Sequence, residues 1–208
     1  MPGKSTDGPV SRLLNRRISS RISGFIVGRG LPVTPNMMSL LTFTVGLAAV
    51  VLALYGHLVL AGLAAQASSI LDGVDGEIAR LTGRASRRGA FLDTMLDRYT
   101  DMLLIGATMW SAMRISGVTV EAAVLAGLLA LTGDLLVSYL HARGVLDLGV
   151  HPSQVGPLDS IASRDVRILL LSLFLVASRP YWALIAVGVL AHSYVIVKTV
   201  YLLEYHAD

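Results

Sequence analysis

The sequence predicts an all-α integral membrane protein, with six transmembrane helices preceded by an amphipathic helix that lies on the membrane surface. Three observations predict it. Hydrophobic residues fill 54% of the 208 positions and charged residues only 15%, whereas a soluble domain carries about 25% charge. The apolar residues gather into six stretches close to the ~20 residues that cross a bilayer. The basic residues gather in alternate connections between those stretches, as expected of a chain that threads a membrane repeatedly.

Taken in order, the first element is amphipathic. Across residues 10–27, Leu13, Leu14, Arg17, Ile18, Arg21, Ile22 and Phe25 recur at helical spacing, with Arg and Ser on much of the other face. This pattern predicts an interfacial helix on the cytoplasmic leaflet, the alternative being a solvated basic tail. The first thirty residues are polar and basic, with no apolar core behind a basic tip, so no cleaved signal peptide is expected. The first span, near 36–56, opens with Thr34-Pro35-Asn36, a cap residue followed by a proline in the first turn. The second, near 58–81, and the third, near 90–115, carry acidic residues at their adjoining ends. The fourth runs near 118–142, the fifth near 166–178 with help from its neighbours, and the sixth near 180–203. Residues 1–33 thus form a cytoplasmic N-terminus and 34–208 one membrane domain. Between the fourth and fifth spans, residues 144–163 hold two prolines and three glycines, a polar loop suited to a lid or an acceptor-binding element.

Orientation follows from the cations. Lys4, Arg12, Arg16, Arg17, Arg21 and Arg29 precede the first span. Arg80, Arg84, Arg87 and Arg88 join the second to the third, and Arg143, Arg164 and Arg167 fall between the fourth and fifth. The opposite side offers Arg114 and Arg179. The positive-inside rule places the first group, and the acidic motif with it, in the cytoplasm. The chain has no cysteine, which excludes disulfides and thiolate metal sites. The protein is expected in the cell membrane, with lipid around it and no nucleic acid as partner.

The informative stretch is residues 72–97: Asp72-x-x-Asp75-Gly76-x-x-Ala79-Arg80, eight residues, then Gly89-x-x-x-Asp93-x-x-x-Asp97. Carboxylates are costly in hydrocarbon, so acids on membrane segments face polar cavities and mark function. The i,i+3 pair Asp72/Asp75 and the i,i+4 pair Asp93/Asp97 each occupy one helix face. Two such helices facing one another gather hard oxygen donors that suit Mg²⁺, Mn²⁺ or Ca²⁺. One or two such ions are suited to neutralising a diphosphate and stabilising a departing phosphate. Gly76 removes a side chain where a ligand approaches the backbone, and Arg80, one turn beyond, can meet a phosphate there. Plainer readings also exist. Asp101 is a candidate structural partner for an arginine, and Gly73, Gly76 and Gly89 are of a kind that allows close helix packing.

The complete spaced set resembles the signature of the CDP-alcohol phosphotransferase family, every fixed position of which is filled. The likeness extends to the six spans, the basic amphipathic helix and Thr34-Pro35-Asn36. It implies a homodimeric six-helix membrane enzyme that moves a substituted phosphate from a CDP-alcohol donor to a second, polar alcohol and releases CMP. It further implies that Asp72, Asp75, Asp93 and Asp97 hold one or two Mg²⁺ or Mn²⁺ ions, with Asp97 also acting as general base. Asn36, Ser39, Gly76, Ala79, Arg80 and Ser86 become nucleotide contacts. The segments 138–143 and 161–167 resemble those of members that use inositol 1-phosphate, in which arginines bind the acceptor's phosphate, a part that falls here to Arg143, Arg164 and Arg167. His141 departs from that pattern, since the actinobacterial phosphatidylinositol-phosphate synthases carry a lysine there. Ordinary loop charge is the alternative for these arginines. Residues 11–23 and 69–80 look close to the di-myo-inositol-phosphate-phosphate synthases, often fused to a soluble cytidylyltransferase. The N-terminus has no room for that domain, so the chain reads as a stand-alone enzyme or a membrane half.

Three competing functions stay open at this level. One is a phosphatidyltransferase that uses CDP-diacylglycerol, or its archaeal analogue, with glycerol phosphate, serine or another alcohol. Another is a divalent-cation transporter, although transporters place their acids near the midplane and these lie at the cytoplasmic ends. The third is a catalytically silent scaffold, which has no use for four spaced acids.

Overall fold

The computed structural model describes residues 8–115 and 117–205, and every regular element among them is helical. A π-helical turn, Ser11–Asn15, runs into α1 (Arg16–Gly28). Six helices follow: α2 (Pro35–Leu54), α3 (Leu58–Leu81), α4 (Arg87–Ala112), α5 (Val120–Leu148), α6 (Arg164–Val176) and α7 (Pro180–Tyr205). A 3₁₀ turn, Pro152–Gln154, lies between α5 and α6.

Local sequence explains where the helices start. Thr34, Ser86 and Thr119 take the N-cap positions of α2, α4 and α5, each accepting from the backbone N–H three residues on, at 3.3, 3.0 and 3.2 Å. These bonds satisfy amides that a helix start leaves without partners. Between α3 and α4 the chain turns at Gly83 (φ +65°), a conformation that costs glycine nothing.

α2, α3, α5 and α7 are long and apolar enough to cross a membrane. α4 and α6 do not meet that description, which qualifies the expectation of six equivalent spans. α4 carries Arg87, Arg88, Asp93, Asp97 and Arg98 in its first half and Asp101 just beyond it. α6 has 13 residues, about 20 Å of helix against a hydrocarbon core of ~30 Å. The third and fourth elements also outrun their expected bounds: α4 starts at 87 instead of 90, and α5 continues to 148 instead of 142.

α2 packs against α3 and α4, α3 against α6, and α5 against α7. The core is built largely from small side chains, with Ala49, Ala53, Ala61, Ala112, Ala123 and Ala130 fully buried. Small residues let helix backbones approach closely, and in lipid dispersion and packing drive the association. Gly62 is an example: a Cβ there would lie 2.6 Å from the Ser172 carbonyl oxygen, so α3 and α6 touch backbone to backbone.

α1 lies on α3 by its polar face. Asn15, Ser19 and Ser23 are buried against α3, while Leu13, Leu14, Ile18 and Phe25 are exposed beside the exposed Arg17 and Arg21. The serine face therefore binds protein. Ile22 and Ile26 share a small apolar cluster with Met38, Val74 and Ile78.

Candidate active site

The C-terminal half of α3, the start of α2, the start of α4 and the start of α6 surround one cavity of about 530 Å³. Asp72 and Asp75 reach it from α3 and Asp93 from α4, all on the faces predicted by their spacing. Oxygens of Asp72, Asp93 and Asp97 lie within 4.8 Å of one another. Asp75 lines the same cavity beside that trio, its side chain reaching Asp93 and its Oδ2 accepting from the Ser39 hydroxyl at 2.5 Å. Asn36, Ser39, Gly76, Ala79, Arg80 and Ser86 all line the cavity too. A Cβ at Gly89 would sit 3.2 Å from Asn36 Oδ1 and 3.0 Å from Ser86 Oγ, so α4 begins against the mouth of α2.

The acidic trio suits a hard divalent cation. Its donors are all carboxylate oxygens, and the trio matches the ligand chemistry of Mg²⁺ or Mn²⁺. Asp72 Oδ1 is buried, with Arg164 Nη1 3.2 Å away as an ion-pair partner but without the alignment of a hydrogen bond. A divalent cation at this point would give that oxygen a further partner.

Arg164, at the start of α6, is the cation that the fold itself supplies. Its Nη1 approaches Asp72 and Asp97 at 3.2 Å each, and its Nε donates to both oxygens of Asp101 at 3.0 and 3.1 Å. Asp101 thereby fills the structural role suggested for it. The chain of charge continues inward: Arg98 reaches Asp101 at 2.8 Å and Asp134 at 3.3 Å, and Arg167 reaches Asp134 at 2.8 Å. Four helices are thus tied into one network, whose geometry matters because an unpaired buried charge costs several kcal/mol.

The three arginines assigned to the acceptor fare differently. Arg164 lines the cavity. Arg167 is buried on Asp134 and also donates to the Ala162 carbonyl. Arg143 pairs with Asp147 one turn along α5, at 2.7 Å and half exposed. Neither Arg143 nor Arg167 is a lining residue of the cavity. The loop from 149 to 163 is anchored to α7, with Lys198 Nζ donating to the Val155 carbonyl at 2.6 Å and the Tyr194 hydroxyl to the Asp159 carbonyl at 3.1 Å. Within it, His151 is pushed by burial below the usual imidazole range and accepts from the Ser153 N–H at 3.3 Å.

Several important residues escaped the sequence reading. Asp134 is a lone charge inside an apolar stretch, and that isolation was the available signal; Arg98 follows Asp97 directly and is masked by the acids around it. Glu77 hides in an unspecified position of the motif, yet is 1% exposed and accepts from three serines of α1.

Comparison with known proteins agrees with this geometry. A family model described as CDP-alcohol phosphatidyltransferase matches residues 32–195. A bifunctional IPC transferase and DIPP synthase of Rubrobacter xylanophilus is 41% identical over 187 residues, 90% of this chain and 41% of that protein. The chain therefore spans less than half the length of that relative. An archaetidylinositol phosphate synthase of Pyrococcus horikoshii is 32% identical over 142 residues, 68% of each chain. Among solved structures, the phosphatidylinositol phosphate synthase of Mycobacterium tuberculosis with CDP-DAG bound superposes with a TM-score of 0.72 at 21% identity, covering 88% of this chain and 92% of that one. The same enzyme in complex with manganese and citrate gives 0.70, with 87% of each chain covered. At that identity the likeness is one of fold.

Proposed function

The chain belongs to the CDP-alcohol phosphatidyltransferase family, and from that premise we propose that it transfers a substituted phosphate from a CDP-alcohol to an inositol-phosphate acceptor and releases CMP. The observation that carries this reading is the cavity and the acids at it: Asp72 and Asp93 on its wall converge with Asp97, with Arg80 and Arg84 towards one end and Arg164 towards the other. That layout suits a ligand with phosphates on either side of a cation better than it suits an ion pathway. Relatives named archaetidylinositol phosphate synthase and phosphatidylinositol phosphate synthase support the choice of acceptor class.

In this reading Asn36, Ser39, Gly76, Ala79, Arg80 and Ser86 hold the cytidine nucleotide, with the Arg80 guanidinium pairing to phosphate. Asp72, Asp93 and Asp97, with Asp75 beside them, would hold Mg²⁺ or Mn²⁺, one or two ions, which when bound neutralise the diphosphate and the departing charge. The acceptor hydroxyl attacks the phosphorus distal to cytidine, and Asp97 takes its proton. A new P–O bond forms as the bond to CMP breaks, and CMP leaves with the electron pair. Arg164 binds the acceptor's phosphate through its planar fork. Of the three arginines assigned to the acceptor it is the one on the cavity wall, so the acceptor role is concentrated there.

The protein is an integral membrane protein, and we take all of α2–α7 to be embedded, with residues 1–33 outside the 34–208 membrane domain. The cavity opens to the cytoplasm beside the basic connections, α1 rests its exposed Leu, Ile and Phe side chains in lipid headgroups, and two copies associate. The direct test is CMP release by purified protein given Mg²⁺, a CDP-alcohol and inositol 1-phosphate. Running CDP-inositol beside CDP-diacylglycerol separates the two donor classes.

A further inference from the structure

We propose that residues 8–16 form a fixed wall of the acceptor end of the cavity, and that Asp165 and Glu77 are positioning residues that hold this wall in place. The inference rests on the transferase reading above and adds a determinant of acceptor binding to it.

The cavity is elongated along α3. Ser69 and Arg80, both lining residues, are eleven positions apart, about 16 Å of helix, with Asp72 and Asp75 between them. The Arg80 end meets the starts of α2 and α4. The Ser69 end meets Ser163 and Arg164, and the remaining side there is closed by Gly8, Ser11 and Asn15, while Arg16 lines the wall farther along, where it reaches Glu77. The N-terminal segment therefore touches the half of the cavity assigned to the acceptor.

This wall is pinned at both ends by carboxylates. The Ser11 N–H donates to Asp165 Oδ2 at 2.5 Å. Gly8 lies so close that a Cβ there would collide with Asp165 Oδ1 and Ser163 Oγ. At the other end Glu77 accepts from Ser19 at 2.9 Å, Ser23 at 2.5 Å, Ser20 at 3.3 Å and Arg16 at 3.2 Å. Between them, Asn15 Nδ2 donates to Ser69 Oγ at 3.1 Å and its Oδ1 accepts from Gln66 at 3.2 Å.

A helix that only needed to sit on a protein surface would bury its apolar face. This one buries Asn15, Ser19 and Ser23 and leaves Leu13 and Phe25 exposed at 68% and 55%. Hydrogen bonds to a buried carboxylate are directional and must all be made, so they fix one position where apolar contact would tolerate several. Asp165 also follows Arg164 directly in sequence. One turn of α6 therefore carries both the cation that receives the acceptor's phosphate and the anchor of the wall facing it.

Steady-state CMP release with inositol 1-phosphate tests the idea. Asp165→Ala should raise the acceptor KM at least tenfold and shift the donor KM less than twofold. Asp165→Asn, whose carbonyl still accepts from Ser11, should return the acceptor KM to within threefold of the parent. Parallel changes in both KM values, or none in either, overturn the proposal. If the unaltered protein releases no CMP with any acceptor, the transferase reading fails instead. A second measurement then judges the wall without catalysis. The chain lacks cysteine, and a Cβ at Gly73 would lie 3.4 Å from that of Ser19, near disulfide spacing. The pair Ser19→Cys with Gly73→Cys should close under mild oxidant, and Glu77→Ala should slow closure at least tenfold. A pair that stays open, or that closes equally fast without Glu77, overturns the proposal.

Discussion

Replacing Arg164 probes the division of the cavity into two ends. In the structure its guanidinium contacts Asp72 and Asp97 at 3.2 Å and Asp101 at 3.0 Å. In Arg164→Ala the buried Asp101 keeps Arg98 at 2.8 Å, so the fold should survive and the loss should appear in ligand binding. A hydrogen bond to a charged group contributes about 1.5–3 kcal/mol. At about 1.4 kcal/mol per tenfold, the KM for inositol 1-phosphate should rise about 10- to 150-fold. The nucleotide end is far enough away to be spared: Asp72 and Arg80 are eight residues apart, about 12 Å along α3, beyond the ~8–10 Å over which exposed charges act in physiological salt. Affinity for CDP, measured by calorimetry, should therefore change less than threefold. Arg164→Lys keeps the charge but loses the fork and should fall between parent and alanine variant. An unchanged acceptor KM, or an equal loss of CDP affinity, refutes the assignment of Arg164 to the acceptor end.

Other outcomes follow from the same geometry. Asp97→Asn should lower the rate of CMP release by about 10²–10⁴-fold, the usual contribution of a positioned base, while CDP binding persists. Chelation with EDTA should abolish CMP release and Mn²⁺ should restore it, with Asp93→Ala weakening the Mn²⁺ signal in electron paramagnetic resonance. Asp134→Ala strands Arg167, which is 3% exposed, and should cost about 3–5 kcal/mol, read as earlier thermal unfolding in detergent; Asp134→Asn should cost less.

Much of this site was legible in the amino-acid order because its signal is local. Asp72, Asp75, Asp93 and Asp97 repeat at helical spacing within 26 residues, and a period is all that is needed to place them on facing surfaces. Thr34-Pro35 marks a helix start for the same reason. What could not be read depends on partners far away in the chain. The Arg98–Asp134–Arg167 chain joins α4, α5 and α6, and no spacing rule connects those positions. What the serine face of α1 meets could not be read, because periodicity locates a polar stripe without naming its partner; here a single buried acid, Glu77, draws the serines inward. Arg143 and Arg167 were grouped with Arg164 by the likeness of their segments to those of inositol-phosphate-using family members, and such a likeness carries no information on their partners, Asp147 and Asp134.

The most direct test of the central claim is an assay of the purified protein in lipid vesicles with Mg²⁺, a CDP-alcohol and inositol 1-phosphate, in which CMP release and divalent-ion flux are followed together. CMP should appear only when all three are present, and should vanish in Asp93→Ala. Silence on CMP across both donor classes, with Mn²⁺ crossing the bilayer through the unaltered protein, would contradict the account.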